Sequence, residues 1–150
     1  MPYKFDSVNS GNTIKFFKVD PNNGNLLEQS NFNPAAGFGN GMPTSPINAV
    51  ALPAAGGSFD RYHVFYLSSG SSSSQGILQE RYWTPSTGWQ TGSVGGLNFA
   101  VQATSTISSA MWMDGSTLNI RIYVTNTAGN IAEIGLGNNP SGWVLIRTVG

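Results

Sequence analysis

Three residues are the chain's entire stock of glutamate, and they fall at Glu28, Glu80 and Glu133, 52 and 53 residues apart. Ahead of each lies a short run with a basic residue in second place: Ile14-Lys15-Phe16-Phe17, Tyr62-His63-Val64-Phe65 and Ile120-Arg121-Ile122-Tyr123. Behind each comes a turn closed by glycine and an aromatic, at Phe38, Trp89 and Trp143, and these are 51 and 54 residues apart. A basic group, a carboxylate and a flat ring repeated in one order are the parts a neutral polyhydroxylated ligand requires. A guanidinium fork bridges two acceptor oxygens, whereas lysine is a flexible point charge. A carboxylate accepts from two hydroxyls, and an indole offers stacking area at small entropic cost. The third copy, Asn119 to Trp143, alone keeps both arginine and glutamate, so Arg121, Glu133 and Trp143 lead the candidates.

Other chemistries are excluded by what is missing. Charged residues make up 9 % and the net charge is zero, so no basic patch recruits nucleic acid. Cysteine is absent and His63 is the only histidine, which leaves no thiolate nucleophile and no multi-histidine metal site; no cofactor is expected. Glycoside hydrolysis uses a pair of carboxyl groups, and each repeat supplies one. A lone histidine has no Gly-x-Ser-x-Gly turn to serve. The four aspartates lie beside turns, where backbone hydrogen bonding accounts for them. The expectation is a binding protein, not an enzyme.

The elements that must carry these side chains are short strands. No window holds a helical apolar period without a Gly, Pro or Ser/Asn break, while β-branched and aromatic runs recur between turn clusters from Thr13–Val19 to Trp143–Val149. A repeat of about 50 residues holding about four strands has the size of a propeller blade. The fold class is therefore all-β, a β-propeller with three four-stranded blades per chain at approximately 1–44, 45–104 and 105–150. Inner strands are expected at Tyr3 to Val8, Ser45 to Val50 and Ser105 to Ala110, and outer strands at each glycine–aromatic pair. Ser68 to Gln75 reads as an elongated loop between the second and third strands of the middle blade.

Three blades do not close a ring, since propellers need about four to eight. Two copies would give a closed six-blade ring, so a homodimer or other homo-oligomer is expected, and Met1 with a near-complete third blade favours this over a piece of a longer chain. The N-terminus lacks an apolar signal core and no run approaches the ~20 apolar residues of a membrane span. That reads as a soluble protein, cytoplasmic or exported by a non-classical route, without membrane insertion.

Each candidate also has a structural reading. Arg121 with Glu133 could be a cross-strand ion pair worth about 0 to 1 kcal/mol, but recurrence in step across three repeats favours a ligand site. Trp112, Phe16, Phe17, Phe65, Tyr66 and Tyr123 read as core. The other wall of the Arg121–Glu133 pocket is expected from Trp83 and Trp89 on the preceding blade, or from a second chain.

The runs IRIY, NIAE and GW in the third repeat, YHVFY, LQERYW and GWQTGSV in the second, and SPINAV between blades resemble the fungal fucose-binding lectins of the Aleuria aurantia type. The resemblance implies a six-bladed propeller whose pockets between adjacent blades hold L-fucose through an Arg, a Glu and a Trp or Tyr, without metal or catalysis. It implies fucosylated glycans as partners. By position, Arg121, Glu133, Glu80 and Glu28 match the family's Arg and Glu, Trp83 its stacking aromatic, and Trp89 and Trp143 its Gly-Trp turns. His63 and Lys15 stand where further arginines would, which departs from the family pattern.

Overall fold

The computed structural model describes residues 3–8, 13–19, 23, 26–31, 41–53, 59–137 and 142–150, the first three strands through their backbone. The first sheet is antiparallel, β1 (Tyr3–Val8), β2 (Thr13–Val19) and β3 (Leu26–Asn31) in that order. The middle sheet runs β4 (Asn48–Pro53), β5 (Phe59–Ser69), β6 (Gln75–Thr84), β7 (Gly88–Thr91), with β8 (Ala100–Gln102) also on β6. The last sheet orders β9 (Ser108–Asp114), β10 (Thr117–Thr125), β11 (Ile131–Leu136) and β12 (Val144–Val149) as a meander. Inner strands thus begin three residues later than expected at β4 and β9, because the residues before them do a different job.

That job belongs to two serines. Ser45 and Ser105, each 5 % exposed, accept the backbone N–H of Leu67 at 2.8 Å and of Thr125 at 2.7 Å. Each also donates to the carbonyl of its next neighbour, Pro46 and Thr106. One buried hydroxyl therefore pins the entry of each inner strand to the end of its neighbour, in two successive repeats. The sequences Thr44-Ser45-Pro46-Ile47 and Thr104-Ser105-Thr106-Ile107 carried this signal.

Side-chain alternation decides which faces are covered. In β10 the residues Ile120, Ile122 and Val124 are buried, and Arg121 and Tyr123 between them are more open. In β5 five consecutive residues, His63 to Leu67, are all buried. An alternating strand has one face packed and an unbroken apolar run has both. The core between the two sheets joins Phe65, Leu67, Leu78, Val94 and Val101 to Ile107, Ile120, Ile122, Val124, Ala132, Ile134 and Trp143. At the inner strands Ser109 donates a hydrogen bond to Asn48 across the same boundary.

One expected loop differs. Ser68, Ser69 and Gln75 belong to β5 and β6, so the serine-rich tract is a hairpin turn of Gly70 to Ser74 and not an elongated loop. Between β7 and β9 the only strand is the short β8, Ala100–Gln102, because a 3-10 turn at Val94–Leu97 interrupts the outer edge. The turn drives Val94 fully into the core. Gly88 and Gly142 both take positive φ, 66° and 82°, which explains why each outer strand opens on glycine before tryptophan. The outer strand expected after Phe38 lies outside the described residues. No helix among the described residues is long and apolar enough to cross a membrane.

Candidate functional site

The register confirms the repeat at the level of single residues. Glu80 stands opposite Phe65, two residues after His63, and Glu133 stands opposite Tyr123, two residues after Arg121. Basic residue and glutamate therefore share one face of their sheet in both copies. The first sheet departs from this: Lys15 pairs in register with Asn31 and Glu28 with Lys18.

The aromatics do not fall where the repeat alone placed them. Trp143 packs edge-on against Phe65, ring centroids 5.9 Å apart, and donates its indole N–H to Glu80 at 3.1 Å. It is in the core between the sheets, on the face of the last sheet opposite to Arg121 and Glu133. Glu80, His63 and Trp143 thus come together from two repeats, while the Arg121, Glu133 and Trp143 of one repeat are split across a sheet.

Trp83 and Trp89 are cross-strand partners, and Trp83 tilts against Tyr62 at 5.3 Å. Trp89 packs on Val64 and Tyr66, the face of the middle sheet away from Glu80. Trp83 and Trp89 do not wall the Arg121–Glu133 pair within one chain: the middle sheet packs on the opposite face of the last sheet, and Trp83, an odd step of three along β6 from Glu80, points away from the last sheet altogether. The same far face holds Arg81, 1 % exposed, which sequence reasoning passed over. Arg81 donates to Thr91. Burial pushes the Tyr66 phenol up, with Arg81 partly offsetting it, and burial lowers Arg81 while Tyr66 raises it.

Glu133 is itself largely covered, 9 % exposed, but its partners are more open. Arg121 lies with Nε 3.4 Å from Glu133 Oε1, and its Nη1 donates to the carbonyls of Ile120 at 2.9 Å and Leu136 at 3.0 Å. Those two carbonyls hold the guanidinium flat, 5.3 Å from the centre of the Trp112 ring. Arg147 donates Nε to Glu133 Oε2 at 2.6 Å from a side chain that is 66 % exposed. Trp112 and Tyr123, both expected in the core, are 41 % and 37 % exposed. Both lie by register on the face carrying Arg121 and Glu133, which none of the described elements covers. Arg147 was legible only as the residue two before Val149, opposite Glu133 in the ladder.

A carboxylate offers about four lone-pair positions, and two guanidiniums leave Glu133 room to accept from hydroxyls. An exposed ion pair such as that with Arg147 is worth about 0 to 1 kcal/mol, so a ligand displaces it at little cost. The group as a whole is a fixed fork, a carboxylate and an exposed indole on one surface, suited to a neutral ring with several hydroxyls.

The sequence profile of the family described as fungal fucose-specific lectin matches residues 6–150. The chain belongs to that family. No sequence among the curated proteins matches it. Among solved structures it is similar to AofleA from Arthrobotrys oligospora, at 21 % identity and a TM-score of 0.68, over 92 % of this chain and 35 % of that one. It is similar to a fucose lectin from Kordia zhangzhouensis solved with methyl-fucoside, at 16 % identity and a TM-score of 0.60, over 99 % of this chain and all of that one. The Aleuria aurantia lectin, a six-bladed β-propeller, aligns at 19 % identity and a TM-score of 0.59, over 99 % of this chain and 48 % of that one. The fold of this fungal fucose-specific lectin family member is accordingly that of propeller blades. It spans about a third of the Arthrobotrys chain and about half of the Aleuria chain.

Proposed function

We propose that the chain is a non-catalytic lectin that binds L-fucose and fucosylated glycans on the outer face of its last sheet. Arg121 and Glu133 hold the hydroxyls, Trp112 stacks beneath the ring's apolar side, and Arg147 lines the rim. The observation that carries this reading is the Arg121–Glu133 pair on an uncovered face in a chain of the fucose-lectin family. Catalysis is disfavoured by geometry. Glu80 faces the last sheet from one side and Glu133 looks away on the other, about one sheet spacing of ~10 Å apart with a β-sheet between, so the two cannot flank one glycosidic bond.

The site is completed by assembly. Phe65 and Leu78, which the last sheet covers, are fully buried, whereas Tyr123 and Ile131 at the equivalent places of the last sheet are 37 % and 55 % exposed. A face that repeats a covered face calls for the same cover, and a second copy's first sheet supplies it, closing six blades with twofold symmetry. Each site is weak alone and the ring gains by avidity on clustered glycans. A glycan array probed with the assembled protein tests the ligand class: retention on fucosylated glycans supports it, and retention on unfucosylated glycans alone replaces fucose with another sugar.

A further inference from the structure

We infer that the position of Glu80, which the repeat makes equivalent to that of Glu133, is an internal clasp and not a ligand site, so that the two sheets spanning residues 48–149 offer one sugar position. The inference rests on the sugar-binding reading only for what the ligand does not do at Glu80.

A bound sugar would satisfy the glutamate with hydroxyl donors. At Glu80 the protein supplies its own. His63 Nδ1 lies 2.5 Å from Oε1, Trp143 donates Nε1 to Oε2 at 3.1 Å, and the Val94 N–H approaches Oε2 at 3.4 Å. These donors come from β5, from the residue preceding β12 and from the 3-10 turn, so three separate elements converge on one carboxylate. A carboxylate only accepts, so His63 carries its proton on Nδ1. The ring is stacked between Tyr82 at 5.6 Å and Phe65 at 6.3 Å.

No space remains for a ligand. His63 and Glu80 are each 3 % exposed and Trp143 is 4 % exposed. Gly92 lies so close that any Cβ there would run into the Glu80 carboxylate, so the backbone itself forms part of the lid. The 3-10 turn that interrupts the outer edge is what brings this lid down, through Gly92 N–H to the Glu80 carbonyl at 3.0 Å and Val94 above. At Glu133, 9 % exposed, the corresponding donor is instead the side chain of Arg147, 66 % exposed. Replacement of an arginine-type fork by the shorter His63, with the Trp143 indole and the Val94 N–H aimed at the same carboxylate and Gly92 closing over it, turns a site into a joint.

Methyl fucoside is titrated against the unmutated protein, Glu133→Gln, Glu80→Gln and Trp143→Phe, with urea unfolding of each and the hydrogen exchange of the Trp143 indole N–H followed by NMR. Trp143→Phe and Glu80→Gln should unfold at lower urea yet keep the unmutated number of sugars per chain, and Glu133→Gln should lose sugar. The Trp143 indole N–H should exchange slowly and keep its resonance as sugar is added. A folded Glu80→Gln or Trp143→Phe protein with fewer sugars per chain, or a Trp143 resonance that moves on saturation, overturns the clasp. If methyl fucoside binds nowhere, exchange alone decides: a protected indole upholds the clasp while the lectin reading falls, and a freely exchanging one removes the clasp.

Discussion

Trp143 donates to Glu80 at 3.1 Å across 63 positions of sequence, joining the start of the last outer strand to the third strand of the preceding sheet. The recurring order of basic residue, glutamate and aromatic within one repeat is thus read out between repeats. Trp143→Phe removes the indole N–H together with part of a buried ring, leaving a buried carboxylate short of a donor and a gap in the core. The lost donor alone costs about 1–3 kcal/mol and the gap adds to it, measured as the shift in urea midpoint at unchanged slope.

Ser45 and Ser105 do the same work in successive blades, and each substitution to alanine strands a backbone N–H, of Leu67 or of Thr125. Each should lower stability by about 1–3 kcal/mol. Comparable values at the two sites, by urea unfolding, would mark them as one device used twice; a neutral effect at either would refute the equivalence.

The proposed assembly through the outer face would place Ile131 and Tyr123 in an interface. Ile131→Lys puts a charge at a position 55 % exposed in the single chain, where surface substitutions cost within about 0.5 kcal/mol. The chain should therefore stay folded by circular dichroism while light scattering shows the dimer lost. A chain that is monomeric before mutation contradicts the closed ring.

Tyr66 supplies a pH dependence. Its phenol is raised above the ordinary value of 10.0 by burial, with Arg81 pulling in the other direction. A raised folded value means the group's support is full below the unfolded value and is lost as pH rises through the folded one. Stability should fall above pH about 10, and Tyr66→Phe should flatten that part of the curve. Urea midpoints taken from about pH 8 to about pH 11 read the slope.

Much of the fold was legible because the repeat is written in residue types that strands and turns require. The glutamate spacing, the Gly-Trp turns and the β-branched runs placed β1, β2 and the last sheet to within a few residues. The 3-10 turn was not legible, since Val94-Gly95-Gly96-Leu97 carries no period. The site was half legible. Arg121 and Glu133 were paired by type and spacing and do share one face, 3.4 Å apart, but the faces taken by Trp83, Trp89, Trp112 and Trp143 were not readable. Sequence spacing does not say which face of a sheet a residue takes until the register is known, and a shift of one residue moves every side chain across. Counting Trp112 two positions from Ala110, the partner of Arg121, places it on the face of Arg121 and Glu133.

The central claim is that sugar is held at Glu133. Calorimetric titration of methyl fucoside into the unmutated protein and into Glu133→Gln tests it most directly. Binding should saturate in the unmutated protein and weaken by about tenfold or more in the variant, the size of a lost charge-assisted hydrogen bond. Absence of heat in the unmutated protein, or equal affinity in the variant, would contradict it.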